Sequence, residues 1–140
     1  MNTRHVAGFI ALAACCAAAA DLPRSPSPQE VELYFISPKD GETVTSPVTL
    51  RFGLRGMGVA PAGLAMENTG HHHLLIDTAP PAFNTPIPAD AKHVHFGKGQ
   101  TEAQVTLTPG RHTLQLLLAD HLHIPHDPPV LSKPITVTVR

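Results

Sequence analysis

Short apolar runs separated by proline, glycine and polar turn residues make up most of the chain after residue 30. In Thr113–Leu118, leucines at 114, 116 and 118 alternate with Thr113, Gln115 and Leu117. Apolar residues alternate with threonines in the same way over Ile135–Val139. Because successive side chains of a strand point to opposite faces, this period of two predicts β-strands with one face in a core.

Seven such runs are predicted as strands. They are Val31–Ile36, Val48–Leu54, His72–Asp77, His93–Phe96, Ala103–Leu107, His112–Ala119 and Ile135–Val139. Fifteen prolines and ten glycines argue against long helices, because proline removes a donor and clashes with the preceding turn. The predicted fold class is therefore all-β, with a single immunoglobulin-like β-sandwich over residues 31–140.

The first 20 residues are typical of an export signal. Arg4 precedes an apolar run over Val6–Leu12, and small residues end in Ala18–Ala20. The apolar run is shorter than the roughly 20 residues that a membrane-spanning helix needs. Cleavage after Ala20 predicts a periplasmic or secreted protein.

An alternative processing site is a lipobox over Leu12–Cys15, in which Cys15 is lipidated and anchors the protein to the outer membrane on its periplasmic side. Association with a membrane is expected only through this anchor. Residues 21–30 (DLPRSPSPQE) are predicted to be a Pro/Ser-rich tether. Cleavage after Ala20 removes both cysteines, which excludes a disulfide framework and a cysteine metal site.

The low content of charged residues argues against nucleic acid as a partner, and the number of histidines points to a metal ion. Charged residues make up 15% of the chain and the net charge is −1, so nucleic acid is not an expected partner. The ten histidines are an excess that points to metal chemistry, since neutral imidazole is the commonest metal ligand.

Three groups of histidines carry this signal. The first group, His71–His73, opens the third predicted strand. Another group, His121, His123 and His126, lies in the loop after the sixth predicted strand. His93 and His95 lie on the fourth strand, where positions i and i+2 share a face and can chelate one ion. The candidate metal ligands are His71, His72, His73, His93, His95, His121, His123 and His126.

Chain direction predicts that these groups converge. Thr108–Gly110 is a tight reversal, so the sixth strand starts at one end of the sandwich, the bottom, and delivers its following loop to the top. The turn at Gly97–Gly99 places His95 at the top as well, and His71–His73 join it if the third strand runs antiparallel to the fourth. His112 is left at the bottom and is interpreted as structural.

The predicted function is to bind copper or zinc for sequestration or delivery, because no nucleophile or poised acid/base pair accompanies the histidines. Thioether from Met57 or Met66 would favour copper, and carboxylate from Asp77, Asp120 or Asp127 would favour zinc. Taken singly, each histidine group also fits ordinary surface residues or a rigid loop cap.

Two other functions remain open. In one, the domain is a metal-free cell-envelope module whose histidine-rich end contacts a protein or glycan. In the other, the histidines have a structural role and connect the loops to one another. As a minor alternative, His93–Gly97 resembles the His-Val-His stretch of copper-zinc superoxide dismutases, which are also β-sandwiches. The spacing of the other histidines and the missing disulfide depart from that family.

Three ordered motifs resemble an exported bacterial family, domain of unknown function 4399. They are Gly70–Asp77, His93–Glu102 and Pro109–Leu116, within a resemblance that covers Val48–Val139. This resemblance implies no activity and no ligand set. The stretch Ile36–Gly41 is also similar to the start of other bacterial immunoglobulin-like modules, a fold that hosts many functions.

Overall fold

The computed structural model describes residues 21–140, which form nine β-strands and no α-helix. The strands are β1 (Glu32–Ser37), β2 (Thr43–Val44), β3 (Val48–Arg55), β4 (Gly58–Val59), β5 (Thr69–Ile76), β6 (His93–His95), β7 (Glu102–Val105), β8 (Gly110–Ala119) and β9 (Ile135–Val139). The all-β prediction is confirmed for this part of the chain. The predicted signal segment and Cys15 lie outside the described residues.

The strands form two sheets. One has the order β1-β3-β7, and the other has the order β2-β9-β8-β5, with β4 and β6 both paired to the free edge of β5. Within residues 21–140, no helix has the length and apolar character required to cross a bilayer.

A shared apolar core joins the two sheets in a sandwich-like arrangement. Phe35, Leu50 and Phe52 of the smaller sheet pack with Leu74 and Leu116 of the larger one. Burial of these side chains removes apolar surface from water and is the main stabilising contribution to the fold.

The larger sheet is also buried on its outer face. There Leu75 and Leu117 form a second cluster with Ile87, which belongs to the long connection after β5. Strands buried on both faces lose the alternation of polar and apolar residues, which explains the nearly unbroken apolar run at the end of β8. The three histidines of β5 are therefore buried whichever face of the sheet they point to.

Strand directions bring the histidine-bearing segments to one end. β6 and β8 both pair antiparallel to β5, so the start of β5 lies beside the ends of β6 and β8. The antiparallel relation of β5 and β6, on which the predicted convergence of the histidines depends, is present. Thr108–Gly110 connects β7 to β8, which belong to different sheets.

Part of the predicted tether packs on the domain. The Ser27 amide donates to the Asp127 carbonyl, and the Asp127 amide donates to the Ser25 carbonyl, both at 2.9 Å. Arg24 Nε donates to the carbonyl of Pro125 at 3.1 Å. Residues 24–27 thus lie along the loop that follows β8.

Candidate metal centre

Four imidazole rings meet on the outer face of the larger sheet, at the end where β5 begins. His71 and His73 lie on the same face of β5 because they are two residues apart. His95 of β6 is the direct cross-strand partner of His73. His123 arrives from the loop after β8. We call these residues the four-histidine cluster.

The rings are close enough to share one small ligand. Five of the six ring pairs have centroids 4.8 to 5.0 Å apart, and the His73–His123 pair is 6.1 Å apart. His71, His95 and His123 offer ring nitrogens that all lie within 4.8 Å of one another. These three residues form a possible metal site.

His71 and His73 are buried and face each other. They are 0% and 1% exposed, and their Nε2 atoms are 3.0 Å apart. One ring must donate its Nε2–H and the other must accept through an unprotonated Nε2, because two neutral rings form this hydrogen bond only when their tautomers differ. The Nδ1 atom of each ring has no hydrogen-bond partner within the described residues.

Burial keeps these imidazoles uncharged. Desolvation, with smaller contributions from neighbouring histidines, lowers the pKa of His71 to about 4 and that of His73 to about 2. Desolvation and the nearby His123 also lower the pKa of His95. A neutral imidazole is the form that binds a metal, so the cluster is prepared for coordination at neutral pH.

His123 depends on an unusual backbone conformation. Its φ is 67°, in the left-handed region that is rare for residues other than glycine. Asp120 supports the turn: Oδ1 accepts hydrogen bonds from the amides of Leu122 and Ile124 at 2.9 and 3.0 Å. The Ile87 amide donates to the His123 carbonyl at 2.8 Å and fixes the turn against the long connection.

The separations are compatible with one transition metal ion. Two imidazole nitrogens bound at about 2.1 Å are at most about 4.2 Å apart, and in a tetrahedral site about 3.4 Å apart. The nitrogens of His71, His95 and His123 lie within 4.8 Å of one another. The widest pair therefore has up to about 0.6 Å to close to reach the outer limit, and up to about 1.4 Å to reach the tetrahedral spacing. His95 is the exposed member of the three, so its ring has the most room for this adjustment.

The structure does not bring His72 or His93 into the cluster. His72 points from the opposite face of β5 into the core, with its ring 5.0 Å from that of Phe52. His93 shares a face with His95, but its Nδ1 is 2.8 Å from Asp90 Oδ1.

His121 and His126 are also separate from the cluster. His121 lines a cavity of about 470 Å³. His126 is buried, and its Nε2 donates to the carbonyl of Thr69 at 3.1 Å. His112 lies at the other end of the sheet, with Nδ1 2.7 Å from Asp77 Oδ2 and Nε2 2.8 Å from the Thr108 carbonyl, as expected for a structural residue.

The methionines and aspartates that the sequence offers as further ligands have other contacts or lie beside the cavity that His121 lines. Met57 packs against the core, and Met66 is 59% exposed beside the cavity that contains His121. Asp127 forms an ion pair with Arg24 at 3.3 Å. Asp120 acts on the cluster through hydrogen bonds to the turn, a role that the sequence reasoning missed. The position of Asp120 at the start of a turn could have indicated this role, because Asp side chains there often accept hydrogen bonds from nearby backbone amides.

Comparison with known proteins identifies a family without assigning an activity. Residues 50–140 match a family that is described as Domain of unknown function (DUF4399), which confirms the resemblance of the three motifs. No curated protein and no solved structure matches the chain.

Proposed function

We propose that this chain, which belongs to the DUF4399 family, binds a transition metal ion, copper or zinc, at the four-histidine cluster. The observation that carries the proposal is the convergence of four imidazoles from three separate segments onto one point. Two of these rings are fully buried and held neutral. Burying such polar groups beside one another costs free energy in the metal-free fold, and coordination offsets that cost.

The donor set favours particular ions. The cluster offers imidazole nitrogens alone, because the methionines and aspartates considered as ligands have other contacts. Imidazole suits zinc, copper, nickel and iron, and divalent copper binds such sites more tightly than zinc does. We therefore place copper(II) first and zinc(II) second.

The proposed role is metal sequestration or delivery. His95 is exposed and His123 is half-buried, whereas His71 and His73 are buried. An ion can thus enter and leave on the side of His95 and His123 while the two β5 histidines anchor it. Binding and release are sufficient for this role, and no turnover is required.

Two further parts of the proposal concern fold and location. We propose an immunoglobulin-like topology for the two sheets, supported by seven main strands around a shared core. The N-terminal sequence supports export to the periplasm or beyond, with a lipid anchor at Cys15 as the alternative.

A metal-free interaction module is the second candidate function. The observation that favours it is the exposure of Leu64, Met66 and Leu122 at 48%, 59% and 55%. The Gly63 amide donates to the His121 carbonyl, so the segments that carry these side chains adjoin each other near the cluster. Apolar residues grouped on a surface are typical of contact with another protein.

Calorimetric titration with Cu(II) and Zn(II) tests the metal proposal. It requires chelator-stripped protein without a histidine tag, and it compares His95→Ala with His93→Ala. The two residues share a face of β6, but only His95 belongs to the cluster. We expect stoichiometric binding by the wild type and His93→Ala, and at least tenfold weaker binding by His95→Ala.

Two outcomes would contradict the metal proposal. Binding by the wild type that is no tighter than micromolar would direct attention to an envelope partner. Equal loss of affinity in the two variants would place the ion elsewhere than at the four-histidine cluster.

A further inference from the structure

One carboxylate connects the N-terminal segment to the turn that carries His123. Asp120 is 3% exposed, and its Oδ2 accepts a hydrogen bond from Ser25 Oγ at 2.7 Å. Its Oδ1 accepts the amides of Leu122 and Ile124, which flank His123 in the chain. Ser25 is therefore two hydrogen bonds away from the backbone of a cluster histidine.

His123 is the member of the cluster that most needs this support. His71, His73 and His95 project from paired strands, whereas His123 projects from a turn with φ at 67°. A left-handed residue with a Cβ is strained, and such a conformation persists only when neighbouring contacts hold it. Asp120 provides two of those contacts, and Ser25 fixes the carboxylate that makes them.

We propose that Ser25 is a positioning residue of the metal centre and acts through Asp120 on His123. This inference rests on the proposed function. When Ser25 binds Asp120, the turn presents His123 to the cluster. When an ion holds His123 in the cluster, the turn presents Asp120 to Ser25. Because binding free energies are reciprocal, the Ser25–Asp120 contact and metal binding must strengthen each other by the same factor.

The chain offers a matched control for Ser25. Ser27 lies in the same segment, and its Oγ donates to the carbonyl of Pro128 at 2.7 Å. That contact reaches the loop beyond His126 and does not involve Asp120. Ser25→Ala and Ser27→Ala therefore remove one hydroxyl contact each, but only the first contact leads to the metal centre. Ser25→Thr keeps a hydroxyl and should restore binding.

The test combines zinc titration with amide hydrogen exchange on the whole chain without its predicted signal segment. We expect Ser25→Ala to bind Zn(II) about fivefold more weakly than the wild type, which corresponds to loss of about one hydrogen bond. Ser27→Ala and Ser25→Thr should stay within about twofold of the wild type. Zinc should slow exchange of the Ser27 amide, which donates to Asp127, in the wild type but not in Ser25→Ala.

Distinct results separate this inference from the proposed function. Stoichiometric zinc binding with equal affinity in Ser25→Ala and Ser27→Ala would overturn the positioning role, as would Ser27 exchange that zinc leaves unchanged. Failure of the wild type to bind zinc or copper would overturn the proposed function itself and the inference with it. Melting of each metal-free variant shows whether a loss of affinity reflects a loss of fold.

Discussion

The Nε2 atoms of His71 and His73 lie 3.0 Å apart on the outer face of β5, and both side chains are fully buried. Leucine at either position would bury more apolar surface at a lower desolvation cost. Two neutral imidazoles are instead held in contact, with an Nδ1 atom on each that lacks a hydrogen-bond partner within the described residues. This arrangement lowers the stability of the fold and keeps two ring nitrogens in a fixed relation.

A double substitution separates that cost from the proposed metal binding. We expect His71→Leu combined with His73→Leu to raise the unfolding free energy of the metal-free protein by about 1–3 kcal/mol, because replacing both partners of a buried polar pair removes their desolvation cost. Metal binding should be lost. Urea unfolding in chelator and calorimetric titration measure the two effects, and a less stable metal-free variant would contradict this account.

Substitutions at His123 test the strain in its turn. Glycine adopts φ near 67° without a steric penalty, whereas alanine retains the penalty that histidine has. We expect His123→Gly and His123→Ala to lose metal affinity equally. The glycine variant should nevertheless be about 1 kcal/mol more stable than the alanine variant without metal. Equal melting temperatures for the two metal-free variants would argue that the turn is unstrained.

His72 is expected to make the fold sensitive to acid. Burial lowers the pKa of His72 to about 4, and neither ring nitrogen has a hydrogen-bond partner within the described residues. In the unfolded chain His72 is protonated near pH 6.5, whereas in the fold it stays neutral down to about pH 4. The stability that neutral His72 allows is therefore fully present above pH 6.5 and is lost as the pH falls towards 4. His72→Leu should reduce that loss by a few kcal/mol, measured as urea unfolding in chelator at pH 8 and pH 4.5. An unchanged acid dependence would contradict the prediction.

His112 should show the opposite pH dependence. Its hydrogen bond with Asp77 raises the pKa of His112, while hydrogen bonds from Thr113 and His112 outweigh desolvation and lower the pKa of Asp77. The charged pair therefore stabilises the fold between about pH 4 and 6.5, and its contribution is lost as the pH rises through the raised pKa of His112. His112→Gln should destabilise more at pH 5.5 than at pH 8.5 in urea unfolding. A larger loss at pH 8.5 would show that the neutral hydrogen bond dominates.

Several features of the site follow from local sequence. A period of two places His71 with His73 and His93 with His95 on common strand faces, because the geometry of a strand alone fixes that relation. Tight turns set the direction of neighbouring strands, which predicted that histidines from three segments would meet at one end. The family resemblance also rests on motifs that can be recognised along the chain.

Only the tertiary structure decided which histidines meet. Both faces of β5 are buried, so the pattern could not show that His72 enters the core while its neighbours turn outward. The register of β6 places His95 opposite His73 and His93 opposite Leu75, a one-to-one pairing set by contacts distant in sequence. The left-handed turn at His123 and its support by Asp120 depend on loop packing in the same way. Strand periodicity is a local property of the chain, whereas face, register and loop docking depend on which distant surfaces pack together.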